Sequence, residues 1–144
     1  MPVYQKWVLV LVIVIMGAIP AVGGEVYTPQ RGDPLRKEVL DTIRPRVEAE
    51  MRTKVQFVVE TMNLQEDWAF VVVTPQHLNG APIDIAKTRF AEDADFMDGL
   101  TNYSLLKLVN NRWHEVTHVT GPTDVAFIVW PKEFGCPKAV LGLQ

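Results

Sequence analysis

The sequence predicts an α+β domain: an N-terminal amphipathic helix packed on a curved antiparallel sheet of about four strands. Apolar residues recur every four positions between residues 35 and 51, which places them on one face of a helix. Four later segments are rich in β-branched and aromatic residues and are separated by turn-forming residues, as strands in hairpins are. Because the helix precedes the strands instead of alternating with them, the pattern favours α+β over α/β.

Residues 1–24 predict a signal peptide. A short polar start with one cation, Lys6, precedes an apolar run over 7–16, and a proline and small residues follow. That order is typical of a secretory signal, and the run is shorter than the ~20 apolar residues of a membrane-spanning helix. We therefore expect a single exported domain over 25–144, periplasmic or extracellular, with no membrane attachment after cleavage. An uncleaved anchor is the alternative.

The composition excludes some classes of partner and of cross-link. The chain carries 14 basic and 17 acidic residues, a formal net charge of −3 at pH 7. This balance lacks the basic excess of nucleic-acid-binding proteins, so we expect no nucleic-acid partner. Cys136 is the only cysteine, which excludes an intrachain disulfide; we expect it to be a small buried apolar residue.

The helix is predicted to begin at Asp33-Pro34, with Asp33 as N-cap and the proline in the first helical position. Pro45 lies inside the apolar pattern and is expected to kink the helix or split it in two. The predicted core face consists of Leu35, Val39, Ile43, Val47 and Met51. The opposite face is charged, which predicts a solvated surface; it carries Arg36, Lys37, Glu38, Arg44, Arg46, Glu48 and Glu50.

The strands are predicted over 55–60, 68–74, 103–109 and 112–119. Residues 63–67 are interpreted as the first turn, and Asn110-Asn111 as a two-residue turn because asparagine tolerates positive φ. The long connection over 76–99 contains a possible short helix at 89–97, and connections of this length often carry function. Residues 125–130 fit either a strand or a helix.

Several short patterns accompany this arrangement: Trp68-Ala69-Phe70, Thr74-Pro75-Gln76, Arg112-Trp113 and Gly121-Pro122-Thr123-Asp124. With them the chain resembles, over most of residues 30–140, a group of small, exported, uncharacterised bacterial proteins. The organisation of one helix laid across an antiparallel sheet also resembles the cystatin-like and nuclear-transport-factor-like folds. The resemblance implies an exported domain of this fold and implies no particular activity.

The segment His114-Glu115-Val116-Thr117-His118 matches the H-E-x-x-H signature of zinc hydrolases. On a helix, His114 and His118 would bind one Zn²⁺, Asp124 would supply a third ligand, and Glu115 would deprotonate the zinc-bound water. The local residues favour a strand instead, because they are mostly β-branched and follow a predicted turn. In a regular strand the two imidazoles share a face but lie ~13 Å apart, too far for one metal ion.

The strand interpretation leaves the motif without a metal, so we expect no cofactor and assign no catalytic residue. As the second arm of a hairpin, this strand would place His118 opposite Tyr103 and Trp113 opposite Leu108.

Three functional hypotheses remain open at this point. The favoured one is a non-catalytic exported module that binds a small molecule or an envelope protein through its sheet or through residues 76–99, with its binding residues unassigned. The second is a zinc metalloprotease built on His114, Glu115, His118 and Asp124. The third is a cone-shaped α+β enzyme in which His118 and Asp124 perform acid–base chemistry.

Overall fold

The computed structural model describes residues 24–144, so the predicted signal peptide lies outside the described residues apart from Gly24. The main elements are α1 (Pro34–Met51), β1 (Gln56–Gln65), β2 (Trp68–Gln76), β3 (Asn102–Val109), β4 (Arg112–Thr120) and α2 (Trp130–Phe134). The four strands form one antiparallel sheet in the order β1-β2-β3-β4, with α1 packed against it. The predicted α+β class is confirmed. Within residues 24–144, no helix combines the length and apolar composition needed to cross a bilayer.

α1 begins where the sequence predicts. The Asp33 carboxylate accepts a hydrogen bond from the Leu35 N–H at 2.9 Å, and Pro34 occupies the first turn. Of the two outcomes expected at Pro45, a kink or a split, the split is wrong, because α1 continues through it to Met51. The turn after the proline is held by packing, since Val47 is fully buried and Met51 is 2 % exposed.

The first hairpin has a longer strand and a tighter turn than predicted. β1 runs to Gln65, so the interpretation of 63–67 as a turn is wrong, and Glu66, with φ 54°, lies in the two-residue turn. The strand continues because its polar residue is bound: the Asn63 amide donates to the Val140 carbonyl at 3.0 Å. The second turn, Asn110-Asn111, is confirmed, with φ angles of 50° and 60°.

β2 is buried on both faces. One face carries Ala69, Val71 and Val73, which pack under α1. The other face carries Trp68, Phe70 and Val72, and residues 126–143, called here the C-terminal segment, cover it. The segment's buried side chains are Trp130, Cys136, Val140 and Leu141.

The C-terminal segment resolves the ambiguity at 125–130. A 3₁₀-helix, Ala126–Val129, leads directly into α2, so this part of the chain is helical. Phe127 packs on Phe70 with 5.0 Å between ring centroids and stacks on Tyr103 at 5.6 Å. Cys136 is buried as expected, and burial raises the pKa of its thiol.

The C-terminal segment should contribute much of the free energy of folding. Trp130 is 5 % exposed, so Trp130→Ala should lower the free energy of unfolding by about 3–5 kcal/mol. The matched control is Ile128→Ala two residues earlier: its side chain is 61 % exposed, and the change should stay within about 0.5 kcal/mol. Urea unfolding measures both. Equal effects would mean that the segment does not pack as described.

Glu48, in α1, binds two residues of the short connection that leads from α1 to β1. Its carboxylate accepts a hydrogen bond from Lys54 Nζ at 2.9 Å and one from the Val55 N–H at 3.3 Å. The hydrogen bond from Lys54, assisted by the Val55 N–H against an opposing effect of burial, lowers the pKa of Glu48 below its ordinary value of 4.5. The folded state therefore favours the ionised carboxylate.

This stabilisation should depend on pH with a defined sign. Because the folded pKa lies below the unfolded one, the contribution is complete above about pH 4.5 and is lost as the pH falls through the folded pKa. Glu48→Gln should lower the melting temperature at pH 7, and its difference from wild type should shrink in acid. Exposed Glu92→Gln removes the same charge and should change the melting temperature little. A deficit in Glu48→Gln that does not vary with pH would contradict the assignment.

Candidate functional site

The H-E-x-x-H segment lies on β4, as the strand interpretation predicts, but the strand is bulged. Leu105 pairs with Thr117 and Leu106 pairs with Glu115, which leaves Val116 as an extra residue. The bulge changes which side chains share a face of the sheet.

His114 and His118 lie on opposite faces of the sheet. His114 pairs with Lys107 and His118 pairs with Ser104; these β3 positions are an odd number of residues apart and so face opposite ways. Lys107 lies over the Trp68 ring, 4.6 Å from its centroid, on the side of the C-terminal segment. The expectation that the two imidazoles share a face is therefore wrong, and its physical cause is the extra residue in β4.

The predicted cross-strand neighbours are partly confirmed. Trp113 pairs with Leu108, as expected, because both precede the bulge. The pairing of His118 with Tyr103 is wrong: His118 pairs with Ser104, and Tyr103 pairs with Val119. The error is one residue, the size of the bulge.

Asp124 is exposed and lines a different part of the surface. With Phe96, Met97 and Thr120 it borders an open groove of about 610 Å³, and His118 is not among that groove's lining residues. Phe96 belongs to a short 3₁₀-helix, Ala91–Phe96, inside the connection where a helix was expected. Across residues 24–144, no three His, Cys, Asp or Glu side chains are grouped so that they could hold a metal ion.

Arg46 is the centre of a polar network between α1 and the sheet. Its guanidinium binds the Glu115 carboxylate through two bonds of 2.7 Å, from Nε to Oε2 and from Nη2 to Oε1. Nη1 donates to Glu50 Oε2 at 2.7 Å, and Nη2 donates to Asn102 Oδ1 at 2.8 Å. The Ser104 hydroxyl donates to Glu115 Oε1 at 2.6 Å. These side-chain hydrogen bonds join α1 to β3 and β4.

The network is largely removed from water. Glu50 is 4 % exposed, Asn102 is 1 % exposed and Ser104 is fully buried. Buried charges of this kind require partners, and Arg46 supplies one to both carboxylates. Glu115 would have to leave Arg46 and Ser104 to act as a general base, so the geometry gives this residue a structural role.

His118 lies at the rim of the network, with its side chain 36 % exposed. Its Nε2 atom is 3.5 Å from Glu50 Oε1, and its Nδ1 atom is 3.7 Å from Glu115 Oε2. Arg89 Nη1 approaches Glu50 Oε1 at 3.8 Å. Because both imidazole nitrogens face carboxylates, neither is directed towards a substrate cavity, and Asp124 is not part of the arrangement.

The sequence interpretation missed Arg46 and Glu50, which it placed on a solvated face. A signal was present: the two residues are four apart, and each follows a core residue, Ile43 or Val47, by three positions. They therefore flank the apolar stripe instead of opposing it. Their partners come from β3 and β4, which no local pattern identifies.

A second candidate site lies at β1, an edge strand of the sheet. Leu64 exchanges both backbone hydrogen bonds with Tyr27, at 2.9 and 2.8 Å, so the backbone groups of Leu64 point away from β2. Its β2 partner, Ala69, must then direct its own groups towards β3. Every second residue of β2 does the same, because backbone groups alternate along a strand.

The alternation identifies the outward groups at the other end of β1. Val73 faces β3 like Ala69, and it pairs with Val59. Pro75, which has no N–H to donate, occupies the next such position and pairs with Phe57. Val59 and Phe57 therefore direct their N–H and C=O groups out of the sheet, and no other strand within residues 24–144 pairs with them.

The lead-in, residues 24–33, covers only the far end of this edge. After the Tyr27–Leu64 bridge the chain reaches Pro29, which cannot donate a further ladder bond, and then turns into α1. Arg36 Nη1 stabilises this change of direction by donating a hydrogen bond to the Pro29 carbonyl at 3.2 Å.

A groove of about 450 Å³ lies between the open part of β1 and α1. Arg31 and Arg36 contribute its cationic groups, and Leu40, Phe57, Val58 and Val59 contribute its apolar wall. The sequence interpretation missed this site because an unpaired edge is a property of the whole sheet and not of one segment.

Comparison of the chain with protein families, with curated proteins and with solved structures found no match. What the chain does is therefore inferred from the geometry of residues 24–144.

Removal of the central cation should destabilise the domain. Arg46→Met leaves Glu50 and Glu115 without their shared partner and should lower the free energy of unfolding by about 3–5 kcal/mol. The control is Lys37→Met on the same helix, whose side chain is 77 % exposed and whose pairing with Asp41 is worth at most about 1 kcal/mol. Denaturant unfolding compares the two. A loss from Arg46→Met no larger than that from Lys37→Met would contradict a structural role for the network.

Proposed function

We propose that the chain is an exported, non-catalytic module that binds a protein partner by adding an extended segment of that partner to β1. The observation that carries the proposal is the open edge of β1, where Phe57 and Val59 present outward N–H and C=O groups. An extended chain alongside would exchange backbone hydrogen bonds with both residues.

The shape of the surface favours an extended protein segment over a small molecule. The groove beside β1 is lined by four consecutive residues of the strand, Gln56–Val59, and by Arg36 and Leu40 of α1. An unpaired edge with a helical wall suits a strand, because main-chain bonds give affinity and alternate side chains meet the wall.

Natural proteins usually protect an edge from unwanted pairing. Within residues 24–144, Tyr27 covers one end of β1 up to Pro29 and a bulge at Glu60 interrupts the strand, whereas Gln56–Val59 is left uncovered. Val58, 43 % exposed, lies within the part that is left open. An edge that is covered at one end and open at the other is consistent with a surface kept for a partner.

Location and fold name form part of the proposal. The predicted signal peptide at residues 1–24 supports export to the periplasm or beyond, where the partner would be an envelope or extracellular protein. The order of one helix followed by a four-strand antiparallel sheet supports the cystatin-like description.

No observation favours the two enzymatic alternatives over binding. Zinc chemistry through the motif needs His114 and His118 on one face, and β4 separates them. Acid–base chemistry by His118 and Asp124 needs the pair in one cavity, and Asp124 borders a groove that His118 does not line.

Amide hydrogen exchange tests strand addition directly. A soluble peptide of alternating valine and glutamate serves as the extended probe. At saturation, the amides of Phe57 and Val59 should exchange at least about tenfold more slowly, because they become hydrogen-bonded to the probe. The Val58 amide, which already faces β2, is the internal control and should change little.

A variant that changes the backbone of β1 provides a second test of strand addition. Val59→Pro removes one outward N–H, which does not take part in the β1–β2 ladder, so it should weaken binding by about tenfold. Because the Val59 side chain packs against the core beneath α1, binding is compared at a temperature at which the variant is folded. Binding without protection at Phe57 and Val59 in the wild-type protein would overturn strand addition, whatever the stability of the variant.

A further inference from the structure

We infer that the segment accepted at β1 is acidic, and that Arg31 and Arg36 select it by binding its carboxylates. This inference rests on the proposed function and names the chemistry of the partner.

The groove has a charge opposite to that of the chain. The formal net charge of the chain is −3 at pH 7, yet the charged residues that line the groove are Arg31 and Arg36, and no Asp or Glu lies among its lining. A local reversal of sign attracts an acidic segment and repels a basic one.

Three acidic side chains close in sequence to the lining residues are engaged elsewhere, and a fourth, Glu38, lines a different groove beside β4. Asp33 caps α1 through the Leu35 N–H. Asp41 pairs with Lys37 and Arg44, and the hydrogen bond from Lys37 is the main cause that lowers the pKa of Asp41. Glu60, on β1 itself, accepts a hydrogen bond from the Thr74 hydroxyl at 2.6 Å. None of these carboxylates forms an ion pair with Arg31 or Arg36 in the described chain.

The arginines differ in how firmly they are held. Arg36 uses one donor on the Pro29 carbonyl, which fixes its guanidinium and leaves four of the five N–H donors an arginine carries. Arg31 is exposed. Arg44 is excluded from the site because it donates to the Val55 carbonyl at 2.8 Å and lies over the Phe57 ring at 4.7 Å.

The spacing of the edge sets the pattern expected in the partner. A strand paired with Phe57 and Val59 points alternate side chains towards the α1 wall. Arginine binds a carboxylate through two parallel bonds, so acidic residues at alternate positions would meet Arg31 and Arg36. Leu40 lines the same groove and supplies apolar contact. The segment that fits is extended and has acidic residues at alternate positions.

Three peptides test the selection on the wild-type protein: valine alternating with glutamate, with glutamine or with lysine. The glutamate peptide should bind at least about tenfold more tightly than the glutamine peptide, which has the same shape without the charge. The lysine peptide should bind more weakly than either, and added salt should reduce the preference for glutamate. Equal affinities would overturn the inference without any variant.

The double variant Arg31→Gln with Arg36→Gln tests the residues. It should reduce affinity for the glutamate peptide by about tenfold or more and leave affinity for the glutamine peptide nearly unchanged. The matched control, Lys132→Gln with Lys138→Gln, removes two exposed charges from the C-terminal segment and should preserve the preference.

The outcomes separate this inference from the proposed function. Protection of the Phe57 and Val59 amides by all three peptides alike would leave strand addition standing and overturn acid selection. Arg-dependent binding without protection of these amides would overturn strand addition and, with it, the acidic strand inferred here. Protection of the same amides in the free protein, together with a dimeric mass, would show that a second copy occupies the edge and would overturn the inference.

Discussion

β2 is apolar on both of its faces, and the other elements are arranged to keep both faces from water. Six consecutive residues, Trp68–Val73, are buried, which is common for a central strand but demands cover on two sides. α1 provides one cover and the C-terminal segment the other. Burial of one large apolar side chain is worth about 1.5–3 kcal/mol, so neither cover is dispensable to a domain of this size.

With both faces of the sheet covered, only its edge strands, β1 and β4, remain, and their surroundings differ. At β4 the strand is bulged, and its polar side chains are bound by Arg46 of α1. β1 also has a bulge, at Glu60, but it pairs regularly over Gln56–Val59, and this part borders a groove. Both edge strands keep outward N–H and C=O groups that no other strand within residues 24–144 pairs. The grooves beside them differ in charge: the one at β1 is lined by Arg31 and Arg36, whereas the one at β4 contains the carboxylates of Glu38 and Asp41. This asymmetry places the proposed binding surface on β1 and away from the H-E-x-x-H segment.

The fold could be predicted from local patterns wherever local chemistry determined the structure. The Asp33 cap, the Asn110-Asn111 turn and the identity of four strands all depend on residues near one another in the chain. The extension of β1 through Asn63 could not be predicted, because that amide is bound by a carbonyl 77 residues away. The helical path through Pro45 likewise depends on packing against the sheet.

The site was harder to predict than the fold for the same reason. The extra residue at Val116 lets Glu115 and His118, three residues apart, both face α1, and no period of the sequence indicates this arrangement. The residues of the zinc motif are all present, but their spacing brings both histidines to one metal ion only on a helix. The β-branched residues within the motif already indicated a strand. Arg31 and Arg36 gave no signal, since an exposed arginine acquires a role only from the edge beside it.

The C-terminal segment also constrains the order in which the chain can fold. The second face of β2 is covered by Val140 and Leu141, and the carbonyl that fixes Asn63 belongs to Val140. A growing chain that has not reached these residues therefore presents Trp68, Phe70 and Val72 to its surroundings. During synthesis one face of the sheet remains uncovered until nearly all of residues 24–144 are available. The nascent domain consequently exposes an apolar surface of the kind that chaperones bind.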